Sequence, residues 1–100
     1  MPTDPSFRMT IEDVFVIRDR GAVVTGKIEQ GVLKVGDEIN IKRQDSFKKA
    51  FVTGIESFRK QKDEARAGEA VGVLMRGISK EDVQRGDVLT GSDSEFSWNF

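Results

Sequence analysis

Gly21-Ala22-Val23-Val24-Thr25-Gly26-Lys27 has the spacing closest to a reactive motif in this chain, G-x-x-x-x-G-K. A phosphate-binding loop of that form needs a Ser or Thr next, to reach Mg²⁺, and Ile28 stands there. It also needs a turn that opens a helix with converging N–H groups. The β-branched run between the two glycines is strand-forming instead. This is a strand, and no nucleotide hydrolase is expected from it. The rest of the catalytic inventory is thin: the chain has no His and no Cys. That removes the commonest general base, the commonest metal ligand and any thiol nucleophile. The acidic pairs Asp37-Glu38, Asp63-Glu64 and Glu81-Asp82 lack the loop spacing of a calcium site. Glu56 and Arg59 stand three apart, as an ordinary exposed pair would. No nucleophile–base pair emerges. The expectation is a protein that is not an enzyme and uses no cofactor and no metal.

One hundred residues bound the chain to a single domain. The formal net charge is −1, from 16 basic and 17 acidic side chains, so no global attraction to nucleic acid or membrane follows. Residues 1–60 carry +2 and residues 61–100 carry −3. No apolar run reaches the ~18–20 residues that span a bilayer. The Met-Pro-Thr-Asp-Pro-Ser start lacks the basic and apolar regions of a signal peptide. A cytoplasmic protein without a membrane association is expected, and the Met-Pro start favours a free-standing module.

The elements that position these residues are strands. Residues 1–6 carry both prolines and read as a flexible lead-in. Phe7 to Ile17 reads as one strand, with a bulge near Glu12-Asp13. Arg18-Asp19-Arg20-Gly21 is a turn into Ala22–Ile28, completing a hairpin. Gly26 inside that strand signals a bulge or a close backbone approach. Gly31–Asp37 reads as a glycine-bracketed connector, Glu38–Arg43 as an alternating strand, and Lys48–Arg59 as a long strand around Gly54. Gln61–Gly68 reads as a charged loop, and Ala70–Arg76 as a central strand apolar on both faces. Ser79-Lys-Glu-Asp82 has a cap pattern suited to one helical turn. Val35-Gly-Asp-Glu-Ile39 and Arg85-Gly-Asp-Val-Leu89 repeat one turn-into-strand device. Short strands at this spacing predict an all-β fold, a small closed six- to seven-stranded Greek-key-like β-barrel over residues 7–91.

These residues carry a resemblance. RGAVVTGKIEQGVLKVGDEI (20–39), TGIESFRK (53–60) and RAGEAVGVLMRGISKEDVQRGDVL (66–89) resemble the second domain of elongation factor Tu, the β-barrel module of translational GTPases. The likeness runs from about Phe7 to Leu89, and the glycines fall at the family's turn positions. The motifs of the family's GTPase domain, G-x-x-x-x-G-K-[ST], D-x-x-G and N-K-x-D, do not occur in these residues. The resemblance implies a pocket for the 3′-terminal adenosine of tRNA. Ile17, Val23 and Leu74 would form its apolar walls. Gly54 would let the base approach the backbone, Glu56 would accept from a ribose hydroxyl, and Arg59 would support a phosphate. It also turns Arg18 and Arg20 toward ribosomal RNA, although Asp19 between them would repel an RNA backbone.

The tail departs most from the family. In residues 92–100, Phe96, Trp98 and Phe100 fall on one face if extended. Two readings stay open. In the first, the chain is a non-catalytic translation-factor-like binding module that meets a tRNA 3′ end, the ribosome through its RNA, or a translation-factor protein. In the second, it is a protein–protein interaction or scaffold domain with a relic RNA pocket, self-associating through the aromatic tail. A monomer or weak homodimer fits both.

Overall fold

The computed structural model describes residues 4–17, 21–44, 46–57 and 60–91. Ten strands run in chain order: β1 Arg8–Thr10, β2 Asp13–Ile17, β3 Gly21–Gln30, β4 Val32–Lys34, β5 Glu38–Arg43, β6 Ser46–Ser57, β7 Lys60–Lys62, β8 Glu64–Arg66, β9 Ala70–Arg76 and β10 Val88–Gly91. A single 3₁₀ turn, Lys80–Asp82, interrupts the described residues. Six strands close a ring, each pairing with the next in the order β1, β10, β5, β6, β9, β3 and back to β1. Ring closure removes the exposed edges that an open antiparallel sheet would carry. Two strands lie outside the ring: β2 on β3, and β7 on β6. A two-stranded ribbon, β4 with β8, packs on the core through the buried pair Leu33 and Ala65.

Alternation decides which side chains fill the barrel. Along β3, Ala22, Val24, Gly26 and Ile28 point inward and are buried. Met9, Ile39, Ile41, Ala50, Val52, Ile55, Val71, Val73, Met75 and Leu89 complete the interior from the other five strands. Ala70–Arg76 is a central strand as expected, but it is not buried on both faces. Val71, Val73 and Met75 are buried, whereas Gly72 and Leu74 turn outward and are half-buried. Three further expectations are corrected. Phe7–Ile17 is two strands, because the chain changes partner: the Ile11 N–H donates to Asp87 C=O and the Glu12 N–H to Thr25 C=O. The charged stretch 61–68 contains β8 and most of β7. The connector 31–37 contains β4. In each of these short strands, backbone pairing overrides a polar or glycine-rich composition.

The repeated turn device is real and occurs three times. At Lys34–Asp37, Arg66–Glu69 and Gln84–Asp87 the fourth N–H donates to the first C=O, at 3.1 Å in each. The third residue is a glycine at φ of 98°, 96° and 91° respectively, the left-handed conformation a type II turn requires there. The fourth side chain then accepts the N–H of the first residue, through Asp37 (2.8 Å), Glu69 (2.9 Å) and Asp87 (3.0 Å). Asp87 is almost fully buried and also takes a two-pronged contact from Arg43, with Nε and Nη2 each at 3.0 Å. Asp87→Ala leaves the Gln84 N–H unpaired and frees a guanidinium that is partly solvated. We expect a loss of about 2 kcal/mol, read as a lowered urea midpoint at unchanged slope. A loss below about 0.5 kcal/mol would show that the carboxylate is not what holds the turn.

The other ion pairs are at least partly exposed. The Thr10 hydroxyl, and then Arg8, holds the Glu29 carboxyl below its ordinary value of 4.5. Lys62, then the Arg66 N–H, does the same for Glu69. Lys48, then the Ser79 N–H, lowers Asp82 from 3.8. Folded values below the unfolded ones mean stability that is complete above the unfolded range and lost as pH falls through the folded values. The urea midpoint should therefore stay level from neutral pH down to about pH 5 and then decline. A midpoint that rises on acidification would contradict these assignments.

Candidate ligand groove

The outer face of β2, β3, β9, β6 and β7 carries a groove of about 520 Å³. That volume lies within the range of small-molecule sites. Strand register builds its floor. Val23 is opposite Leu74, and Leu74 opposite Gly54, giving one row across three strands. The next row runs Gly72, Glu56 and Gln61. Ile17 closes one side from β2, while Gln61, Lys62 and Asp63 close the other, and Val35 lies at one end.

A bulge sets the register. Between Val52 and Gly54 the β6–β9 pairing slips, leaving Thr53 as the extra residue. Its hydroxyl donates to the Leu74 C=O at 3.3 Å, and the slip brings Gly54 and Glu56 opposite Leu74 and Gly72. Two glycines then keep the floor low. A Cβ at Gly54 would meet only Leu74 Cβ and Cδ2 at 3.6 Å, and one at Gly72 only Val23 Cγ1 at 3.6 Å and Thr25 Cγ2 at 3.9 Å. These are ordinary contacts. The barrel does not require glycine at either place, and the depth of the groove does.

Charge sits at the rim. Glu56 and Arg76 are exposed, and neither has an ion-pair partner among the described residues. Lys62 is held by Glu69. The apolar slot between Ile17, Val23 and Leu74 thus has the Glu56 carboxylate in the row on one side and the Arg76 guanidinium on the other, both without an ion-pair partner among the described residues. Such a site can stack a planar apolar group and bond to hydroxyls and to an anion.

Of the residues singled out in the sequence, Ile17, Val23, Gly54, Glu56 and Leu74 all line this one groove. Arg59, Arg18, Arg20, Phe96, Trp98 and Phe100 lie outside the described residues. Sequence reasoning missed Thr53, Gln61, Lys62, Gly72 and Arg76. Gly72 carried a usable signal, since a lone glycine in a strand of apolar residues marks a close approach. Gln61 and Lys62 were hidden by the reading of their segment as loop.

No group of three or more acidic side chains is arranged to hold a metal ion among the described residues. No described helix is long and apolar enough to cross a membrane.

A closed six-strand barrel, flanked by two outer strands that wall a groove on its face, defines a translation-factor-like β-barrel module. Residues 21–90 match the family described as elongation factor Tu domain 2. The chain belongs to that family, and these 100 residues contain no GTPase domain.

Proposed function

We propose that this barrel is a non-catalytic binding module whose groove takes the adenosine end of an RNA 3′ terminus of the tRNA type. The observation that carries the reading is the meeting of Ile17, Val23, Gly54, Glu56 and Leu74 in one groove of ligand size. The base would lie on the low floor left by Gly54 and Gly72, against Val23 and Leu74. Glu56 would accept from a ribose hydroxyl, the contact that separates RNA from DNA. Arg76 would face a phosphate, as guanidinium groups do. A single nucleoside-sized site gives a Kd on the order of millimolar, about −4 kcal/mol, so a physiological complex needs a protein partner or a further domain.

A ¹⁵N-amide NMR titration with an aminoacylated CCA trinucleotide tests this, with the uncharged form as control. Saturable shifts at Ile17, Val23, Gly54, Glu56 and Leu74 are expected. No shifts at millimolar ligand would retire the RNA reading.

One observation supports a role in protein contact beside it. Phe15 and Val16 on β2 and Phe47 and Phe51 on β6 are all about half exposed.

A further inference from the structure

We propose that the outer face of β6 is a platform for single-stranded RNA, built by two exposed phenylalanines with a lysine between them. Ala50 and Val52 are buried, so alternation turns Phe47, Lys49 and Phe51 to the outside of the barrel. Phe47 is 49% and Phe51 51% exposed. Strand register gives each ring a cation directly across from it: Lys42 on β5 is opposite Phe47, and Arg76 on β9 is opposite Phe51. Lys42 and Arg76 are exposed and have no ion-pair partner among the described residues. Glu38, opposite Phe51 on β5, is the only carboxylate among these cross-strand neighbours, and its Oε1 lies 4.0 Å from Lys49 Nζ. The carboxylates beyond Phe47 are engaged: Asp82 by Lys48, Asp87 by Arg43, and Glu81 by the Ser79 hydroxyl.

The setting of the two rings selects the occupant. They stand about 13 Å apart along the strand, at ~3.3 Å per residue, with Lys49 between them. They therefore do not merge into the continuous apolar patch that marks a protein-docking face. Ring and cation in alternation is what a single strand requires, since its bases stack on aromatic side chains and its phosphates meet positive charge. A duplex keeps its bases stacked on one another and cannot use the rings. The platform also runs into the groove, because Arg76 lines the groove and flanks Phe51. A strand can pass from one to the other, but the platform stands without the groove reading.

A short pyrimidine oligoribonucleotide carrying a 3′-phosphate tests this, since it offers the groove neither adenosine nor a free 3′ end. Followed by ¹⁵N-amide shifts of the full chain at low salt, it should shift Phe47, Lys49 and Phe51 saturably and leave Val23 and Leu74 unshifted. Phe51→Leu keeps an apolar side chain but removes the ring, and should weaken binding about fivefold or more at a near-parental thermal midpoint. Lys42→Gln should flatten the dependence of log affinity on log salt by about 0.7. A hairpin duplex should bind more weakly than the single strand. No shift on β6 at millimolar oligonucleotide overturns the proposal, even where aminoacylated CCA still fills the groove. Phe51→Leu binding like the parent also overturns it, as does a duplex binding as well as the single strand, which would leave charge alone as the attraction. Should Phe51→Leu not fold, the duplex comparison on the parent decides.

Discussion

Replacing Gly26 by alanine is expected to cost about 3 kcal/mol, a large share of the ~5–15 kcal/mol that holds a domain together. Gly26 points into the barrel from β3, where β1 closes the ring. A Cβ there would sit 2.4 Å from the Thr10 backbone oxygen and 3.2 Å from Met9 Cε. The methionine can turn away, whereas the carbonyl oxygen belongs to the main chain just beyond the β1–β3 ladder. Relief requires β1 to lift from β3, which opens the ring at a point where the pairing already slips between Arg8 and Met9. The same exchange at Gly72 is the control. There the Cβ would meet only ordinary contacts, and the φ lies outside the left-handed range, so Gly72→Ala should be neutral or stabilising by about 0.4–1 kcal/mol. Urea unfolding of the two variants side by side decides it. If Gly26→Ala loses less than about 1 kcal/mol, the close approach of β1 is not what holds the ring shut.

Gly72→Val is expected to abolish the response of the groove while leaving the barrel folded. The valine occupies an extended position between Thr25 and Glu56, where β-branched residues fit. Its methyl groups fill the floor beside Val23, where the base would stack. Binding of aminoacylated CCA should weaken by about tenfold or more, equal to at least ~1.4 kcal/mol, at an unfolding midpoint no lower than the parent's. Glu56→Gln separates the contributions: it keeps the slot and removes only the charged acceptor, so its loss should be smaller. Undiminished binding in Gly72→Val would move the RNA site off this face, whatever the titration of the parent shows.

Much of the fold was legible because its strongest signals are local. The Gly36-Asp37 and Gly86-Asp87 turns need a left-handed glycine and a short carboxylate at fixed spacing, and both are written in adjacent residues. The strand Ala70–Arg76 and the hairpin of β2 with β3 follow from β-branched runs bounded by turn residues. Gly26 announced a close approach without saying to what. The family resemblance then gathered Ile17, Val23, Gly54, Glu56 and Leu74 into one expected site.

Tertiary structure decided what depends on partners far along the chain. Lys60–Lys62 is a strand because β6 offers it an edge, and nothing in Lys-Gln-Lys itself favours extension. Phe7–Ile17 breaks in two because the Ile11 and Glu12 N–H groups donate to the carbonyls of Asp87 and Thr25, which lie in different parts of the chain. Leu74 faces a groove and not the core because the ring buries one face of β9 and leaves the other to β2 and β7. The depth of that groove comes from Gly54 and Gly72 being set in adjacent rows by one bulged residue, Thr53. Composition and spacing determine which residues can turn, extend or stack. Ring closure and register, which join residues tens of positions apart, determine which of them face one another.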